Sequence, residues 1–424
     1  GLALFSPSLS ESAIRKEINI DFHPLASIER SRPIEFEIPR SNTLYIDLSK
    51  TLMRIKVKIT RKDGTAIKKD VDKVGFINNI AHSLFQKVDL LLNGKLISPG
   101  VGTHFAFQQM LQILAYYPID FLQSTAQTQG FVHDTPDYIS SPTITEGGEN
   151  KGFFERWQWV NNGQSLVLLA PLAHDLCYMN CYLPPGVSLR LKMWVNSDEF
   201  LLLSPDTNTE NHRVVIEDMA MKFTCFEVMP EVISRHEAML AKKMATFHYQ
   251  SSEIKSFTVP KGQQHFNINN IFGGQLPHDI IVAFVETSAY LGERTSSPLE
   301  FKHCNASKIS LFVENLPEQT YDLSFKTDSP DYVTPYRALY ATDQGNKYVA
   351  ALIGQNDFNG GYSLFRFRLG TTDTIRENRI KEGSGRLTFT WDTALAESIT
   401  ILVLCKSHSR LYMDASRTIW TTEV

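Results

Sequence analysis

The sequence predicts an all-β protein built from two β-sandwiches in tandem. Apolar residues recur at every second position in many segments, which indicates strands with one buried and one solvent-facing side. Helical spacing is confined to a few short stretches. The chain has 424 residues, more than one hydrophobic core usually serves, so we expect two β domains of roughly 200 residues each.

The alternating segments occur in both halves of the chain. The clearest one runs from Met53 to Ile59, where basic residues alternate with Met, Ile and Val. The same alternation is found at Ile34–Ile38, Leu189–Val195, Met219–Cys225, Ile309–Val313, Phe365–Leu369, Leu387–Trp391 and Ile399–Val403. The apolar run Leu166–Leu172 is typical of a buried strand. Trp157 and Trp159 are two residues apart, which predicts one shared face of a further strand.

Turns and short helices separate these strands. Asn93-Gly94 lies between two apolar segments and predicts a tight hairpin turn. From Phe105 to Tyr117 the apolar residues have helical spacing, and the pattern stops before Pro118, so we expect a short helix there. The stretch 123–152 is rich in Pro and Gly and predicts a long, mobile loop.

A second helical pattern divides the chain into two halves. Between Glu231 and Phe247 the residues Ile233, Leu240 and Met244 share one helical face, which suits a connector between domains. We therefore expect an extended N-terminal arm over 1–32, a first sandwich over 33–230, a connecting helical segment over 231–250, and a second sandwich over 251–424.

Composition and charge exclude several classes of protein. The chain is 42% hydrophobic and 21% charged, which is ordinary globular usage. Its 46 acidic and 42 basic residues give a net charge of −4 without a basic cluster, so strong non-specific nucleic-acid binding is not expected. No sequence-specific nucleic acid is predicted as a partner either. No apolar run is long enough to cross a bilayer, and the N-terminus lacks a signal-peptide pattern. Five cysteines in a chain of this length favour free thiols in a reducing compartment.

No complete catalytic or metal-binding pattern is present. His174, Cys177 and Cys181 are close in sequence, but structural zinc usually has four ligands, and no second pair follows; we expect them on a packed strand. Asp134 and Asp137 could form an acid pair, yet they lie in the predicted long loop, where we expect solvated carboxylates. The sequence therefore predicts no enzyme activity, no cofactor and no metal.

Ordered segments of the chain resemble a known protein family. The segments are Pro33–Pro39, Tyr45–Leu48, Asn78–Phe85, Val88-Asp89, Leu92–Leu96, Gly274–Pro277, Pro298–His303, Asn359–Phe365 and Asp414–Arg417. In this order they resemble the major capsid proteins of Polinton (Maverick) elements and the related adintoviruses. Each segment alone is weak, but their shared order from about Leu4 to Trp420 is specific.

The resemblance implies a double jelly roll, two eight-stranded sandwiches side by side with a few short helices. It further implies a homotrimer that forms a pseudo-hexagonal, hexon-like capsomer of an icosahedral shell around double-stranded DNA. Neighbouring capsomers and a penton or minor capsid protein would be its partners. Its location would be the virion capsid, after folding in the host cytoplasm or nucleus. The loops bearing Tyr116, Tyr117, Trp157 and Trp159 are candidates for the interface between copies.

Two alternatives from other classes stay open at this point. One is a carbohydrate-binding or carbohydrate-hydrolysing jelly-roll protein, which would need an acid pair or an aromatic platform in one cleft. The other is a host protein domesticated from such an element, which would keep the fold without forming a shell. Jelly rolls serve many functions, so the fold alone does not choose among these.

Overall fold

The computed structural model of this protein contains two β-sandwiches in tandem. The structure describes residues 13–69, 71–97, 102–179, 181–205, 211–314, 316–340, 351–369 and 382–421. Strands dominate the described part of the chain, and the helices between them are short. The expected all-β fold class is confirmed.

The first sandwich contains two four-stranded antiparallel sheets. In spatial order, one sheet consists of β1 (Ile14–Phe22), β10 (His212–Val228), β3 (Leu44–Arg61) and β7 (Leu166–Pro171). The facing sheet consists of β2 (Ile34–Ile38), β8 (Leu189–Val195), β5 (Phe85–Leu92) and β6 (Lys95–Ile97). A separate small pair is formed by β4 (Gly75–Phe76) and β9 (Leu202–Leu203).

The second sandwich repeats this arrangement. One sheet consists of β11 (Ala245–Val259), β18 (Ile399–Met413), β13 (Asp279–Glu286) and β16 (Leu364–Arg368), and β19 (Ile419–Thr421) pairs with the end of β18. The facing sheet consists of β12 (His265–Gln275), β17 (Glu382–Trp391), β14 (Ala306–Val313) and β15 (Gln319–Asp322).

Both sandwiches have the same strand order. When the small pair β4 and β9 and the short β19 are set aside, each half has eight strands, and one sheet of each half joins the first, eighth, third and sixth of them. The facing sheet joins the second, seventh, fourth and fifth. Eight strands in two packed sheets, with partners distant in sequence, are the arrangement of a jelly roll. The chain is therefore a double jelly roll.

Nine short helices are found in the described part of the chain. They are α1 (Ile80–Ser83), α2 (Phe105–Tyr116), α3 (Asp120–Gln123), α4 (Lys151–Gln158), α5 (Asp198–Leu201), α6 (Pro230–Leu240), α7 (Thr287–Tyr290), α8 (Val333–Leu339) and α9 (Gln355–Asn359). The predicted helix over Phe105–Tyr117 is confirmed as α2. It ends where Tyr117 becomes extended, because a residue before proline disfavours the helical conformation. Among the described residues, no helix is long and apolar enough to span a bilayer.

The alternation read from the sequence places the core correctly. Met53, Ile55, Val57 and Ile59 are 0% exposed, and the charged residues between them face outward. One connected apolar core runs through both sandwiches. The hairpin at Asn93-Gly94 is also confirmed, since both residues have positive φ, as the tight turns of two-residue hairpins require.

The structure differs from the expected arm at the N-terminus. Residues 1–12 of that arm lie outside the described residues, but Ile14–Phe22 form β1, which pairs with β10 along its length. The expectation failed because β1 is an edge strand with half-buried residues. Its three basic and acidic side chains at positions 15–17 interrupt the apolar pattern.

The connector between the sandwiches is shorter than expected. The helix α6 ends at Leu240, and Phe247, which the helical pattern included, lies in β11 and is buried there. The turn at Ala241–Met244 separates the two elements. The error arose because an apolar residue three positions after Met244 fits both a continued helix and the buried side of the next strand.

Candidate assembly interface

The helix α2 lies at the junction of the two sandwiches. All but the last of its twelve residues are buried, including three glutamines whose amides cannot be left unpaired there. Gln109 donates to the carbonyl of Ala173 at 2.9 Å. Phe107 stacks on Tyr290 of the second sandwich, with ring centroids 5.4 Å apart. The helix therefore joins the cores of both sandwiches.

A cluster of charged groups fixes the C-terminal end of α2 to the second sandwich. The Tyr116 hydroxyl donates to Asp279 at 2.8 Å, and Arg366 donates to both oxygens of the same carboxylate. Asp279 and Arg366 are both buried. Burial alone would raise the pKa of Asp279, but the hydrogen bonds and charge of Arg366 outweigh it, so that pKa lies below its ordinary value.

Lys406 approaches the same cluster from β18. Its ammonium lies 3.9 Å from the centre of the Tyr116 ring, in the geometry of a cation–π contact. Burial lowers the pKa of Lys406 to about 8, although nearby Asp175 and Asp279 act in the opposite direction. A lysine at this position therefore carries a desolvation cost that its neighbours offset in part.

A second set of polar contacts joins the sandwiches on the other side of α2. Asp175 accepts hydrogen bonds from the backbone and the hydroxyl of Ser252, both at 2.8 Å. His104, just before α2, lies 2.9 Å from the Tyr290 hydroxyl. These contacts join buried and half-buried groups from both halves, so the two sandwiches have a fixed arrangement within one chain.

The segment predicted as a long mobile loop is largely ordered by buried groups. Asp134 is 1% exposed and pairs with Arg156 at 2.9 Å, so the expectation of a solvated carboxylate was wrong. Asn78 donates to the other oxygen of Asp134 at 2.9 Å. Tyr362 of the second sandwich lies beneath it, with its hydroxyl accepting from the Asp134 amide. Asp137 is exposed, so the two acids do not form a pair.

The tryptophans predicted on a strand lie on or next to a helix. Trp157 belongs to α4, and Trp159 follows its end. Asn150 caps this helix by accepting from the Phe153 amide at 3.1 Å, which stabilises the first turn. The two-residue spacing of the tryptophans suggested a strand, but Phe153 and Trp157 are four residues apart and pack on one helical side. That spacing and the asparagine cap were the signals that could have identified the helix.

The four candidate interface residues differ in the surface that they offer to another chain. Trp157 is 4% exposed, and Tyr116 is engaged in the cluster described above. Tyr117 and Trp159 are half-buried and keep part of their surface. Tyr117 packs edge-on against Phe121, with centroids 5.0 Å apart. Thus Trp157 and Tyr116 serve mainly the fold of their own chain.

The strand β7 presents apolar surface that the sequence interpretation missed. It was expected to be buried, but it lies at the edge of its sheet, where Val167 is 51% and Leu169 is 39% exposed. Their backbone partners on β3 are Lys56 and Arg54. An exposed apolar edge strand is a preferred place for another chain to pack. Sequence alone could not tell an edge strand from a central one, because both show a continuous apolar run.

In the described part of the chain, His174, Cys177 and Cys181 do not come together as a metal site. His174 and Cys177 are buried and Cys181 is exposed. Residues Asp175–Tyr178 form a single turn of 3₁₀ helix, so the expected strand was wrong. Among the described residues, no three His, Cys, Asp or Glu side chains come close enough to hold a metal ion.

Comparison with known sequences gives one relative. No family model matches the chain. A Caenorhabditis elegans protein, "Uncharacterized protein F54H12.2", is 24% identical over 349 residues, which cover 80% of this chain and 80% of that protein. The similarity therefore extends through both sandwiches.

Comparison with solved structures gives the fold. The Sputnik virophage structure matches with a TM-score of 0.65 and 11% identity, over 99% of this chain and 91% of that chain. The Faustovirus major capsid protein matches with a TM-score of 0.58 and 8% identity, over 97% and 92% of the two chains. The mavirus major capsid protein matches with a TM-score of 0.54 and 11% identity, over 99% and 94%. This chain has the double jelly-roll fold that these viral proteins share.

Proposed function

We propose that this chain is a major capsid protein whose homotrimers form pseudo-hexagonal capsomers of an icosahedral shell around double-stranded DNA. The observation that carries the proposal is the extent of the structural match. The fold corresponds to 91–94% of the length of these viral chains and to 97–99% of this one. The role is structural, in the virion capsid, and not enzymatic.

The internal symmetry of the chain supports a trimer. Two sandwiches with the same strand order present two similar flanks, and three chains then close a ring with six pseudo-equivalent sides. The fixed junction around α2 keeps the two flanks at a constant angle, which a regular shell requires. The exposed side of β7, with Val167 and Leu169, supplies apolar surface for a contact between copies.

The lineage is part of the same proposal. The ordered motifs resemble Polinton and adintovirus capsid proteins, and the match to the mavirus major capsid protein supports that direction. In such a particle, neighbouring capsomers and a penton or minor capsid protein would be the partners. Folding in the host cytoplasm or nucleus is consistent with five free cysteines.

Mass measurement tests the trimer directly. Light scattering on a size-exclusion column should give three times 48.1 kDa, and electron microscopy should show hexagonal particles. The double variant V167E/L169E places charge on the contact surface, so it should dissociate the trimer and lower the mass that light scattering measures. The matched control K16E changes an exposed residue of the opposite edge strand β1 and should leave the trimer intact. A wild-type monomer at micromolar concentration would refute the proposal.

One observation favours a second candidate. The relative in Caenorhabditis elegans belongs to an animal, which suits a host protein domesticated from a capsid gene. Such a protein would keep the double jelly roll without building a shell. Electron microscopy distinguishes the two: trimers that assemble into closed shells support the capsid role, and trimers or monomers that never assemble support the domesticated role.

A further inference from the structure

A cleft in the first sandwich contains a buried carboxylate without a cationic partner. The cleft has a volume of ≈ 450 Å³, within the roughly 300–1,000 Å³ typical of small-ligand sites. Asp47 of β3 lies in its wall and is 5% exposed. Among the described residues, no Lys, Arg or His makes an ion pair with it. Buried charges in proteins are normally paired, so this carboxylate points to a cation that the protein alone does not supply.

The hydrogen bonds of Asp47 leave one of its oxygens available. Ser49 donates to Oδ1 through its amide at 3.0 Å and through its hydroxyl at 2.6 Å. Within the described part of the chain, Oδ2 accepts no hydrogen bond. Thr51 also lines the cleft, is 1% exposed, and its hydroxyl has no partner among the described residues. The cleft therefore holds two oxygen atoms that are available to accept hydrogen bonds, and of these the Thr51 hydroxyl oxygen is fully buried.

Aromatic rings form much of the remaining wall. Tyr117, Tyr178 and Tyr182 line the cleft, and no basic residue is among its lining residues. Burial raises the pKa of Tyr117 and raises that of the Cys177 thiol to about 12, so both stay neutral at ordinary pH. Asp47 is then the charged group of this wall. Aromatic faces attract cations, and rings beside a carboxylate suit an organic cation.

The chemistry of the wall argues against a bare metal ion. Ca²⁺ takes about six to eight oxygen ligands, and Mg²⁺ requires near-octahedral oxygen coordination. Here one carboxylate and a few hydroxyls stand beside apolar and aromatic surface that includes Pro171 and Met179. An alkylammonium group fits both features, since its charge can meet Asp47 while its carbon chain packs against the rings.

We propose that this cleft binds a protonated alkylamine, with Asp47 as the counter-ion and the tyrosine rings as the wall around the carbon chain. The inference does not depend on the capsid role. The amine has two possible sources: a free small amine, or the lysine side chain of a second copy of this chain. The chemistry at Asp47 is the same for both.

Saturation-transfer-difference NMR on the full chain tests the site, with butylammonium as the probe. Butanol and butyrate have similar shapes without the positive charge and serve as ligand controls. Butylammonium should bind, and both controls should bind much more weakly. D47N, which keeps the shape of the side chain, should weaken butylammonium binding by at least about tenfold, because a charge-assisted hydrogen bond is lost. The matched control D21N removes an exposed carboxylate of the same sheet and should have no effect.

A second variant keeps the test decisive if D47N does not fold. Tyr178 is 50% exposed, so Y178A should fold normally while it removes part of the aromatic wall and weakens binding. Equal binding of butylammonium and butanol, or unchanged binding in the variants, would overturn the proposal. Light scattering then identifies the source. If saturating butylammonium lowers the mass of the assembled protein, the natural occupant is a lysine of another copy; if the mass is unchanged, the occupant is a free amine.

Discussion

Replacing Arg366 by Met should destabilise the junction between the sandwiches strongly. Arg366 is 6% exposed and donates to both oxygens of Asp279, which is 3% exposed, and to the carbonyl of Leu339 at 2.6 Å. Without the guanidinium, the Asp279 carboxylate keeps the Tyr116 hydroxyl but loses its counter-charge. Breaking a buried pair by removing one partner typically costs about 3–5 kcal/mol, and we expect a loss of that size.

The dependence of this loss on pH follows from the pKa of Asp279. In the wild type the pKa of Asp279 lies below its ordinary value. The ionised Asp279 therefore stabilises the fold at pH values above the ordinary pKa, and this contribution is lost as pH falls through the lowered pKa of the folded state. In R366M, burial dominates and should raise the pKa of Asp279 instead. Protonation then removes the unpaired charge. The difference in free energy of unfolding between the wild type and R366M should therefore narrow as pH falls from about 7 to about 4.

Urea denaturation followed by circular dichroism measures both effects, at one protein concentration because assembly shifts apparent stability. The matched control is R54M, which breaks the exposed pair with Asp218 and should cost below about 1 kcal/mol. The double variant R366M/D279N should be less destabilised than the sum of the single changes. A loss in R366M no larger than in R54M, or a loss independent of pH, would refute this account of the junction.

Three further predictions concern other parts of the fold. Lys406→Met should raise the free energy of unfolding at neutral pH, because it removes a buried ammonium whose desolvation lowers the pKa of Lys406 to about 8. This gain in stability should narrow above that pH, where the wild-type lysine loses its charge. A lower free energy of unfolding in urea denaturation at neutral pH would contradict the prediction. Gly94→Ala should cost about 1 kcal/mol because Gly94 has a φ of +85, in the left-handed region that favours glycine. Thermal unfolding should show a smaller cost for the control Gly273→Ala, which has open space and no positive φ. Phe107→Ala should cost about 3–5 kcal/mol through the lost stack on Tyr290. In the same denaturation assay the control Leu291→Ala, at a residue that is 74% exposed, should cost below about 0.5 kcal/mol.

Much of the fold could be predicted because the period of apolar residues is a local property. Met53–Ile59 shows which side of β3 is buried, and the structure agrees. Ile399–Val403 shows the same alternation, but β18 is a central strand there and is buried on both sides, Thr400 and Leu402 included. The turn at Asn93-Gly94 was equally readable, since few residue pairs adopt its backbone conformation. These features depend on neighbours within a few residues, which the sequence displays directly.

The remaining features depend on partners that are distant in the sequence. Asp134 looks like a loop acid until Arg156 and Tyr362 are brought to it by the fold. The edge position of β7 follows from the order of strands, which no local pattern specifies. For the same reason, the cleft at Asp47 could not be predicted: its walls come from β3, from Tyr117 and from residues more than a hundred positions after β3.

The pairing of the first strand of each sandwich with its last has a consequence during synthesis on the ribosome. Ile14 pairs with Val228, so the first sheet cannot close until almost the whole first sandwich has been translated. Until then β3 lacks its partner β10 and exposes strand edges that can aggregate. The second sandwich must likewise wait for Met413 to pair with Ala245. Until the second sandwich forms, α2 packs on the first sandwich but has no cover from Tyr290, so a nascent first sandwich exposes the side of this helix that carries Phe107.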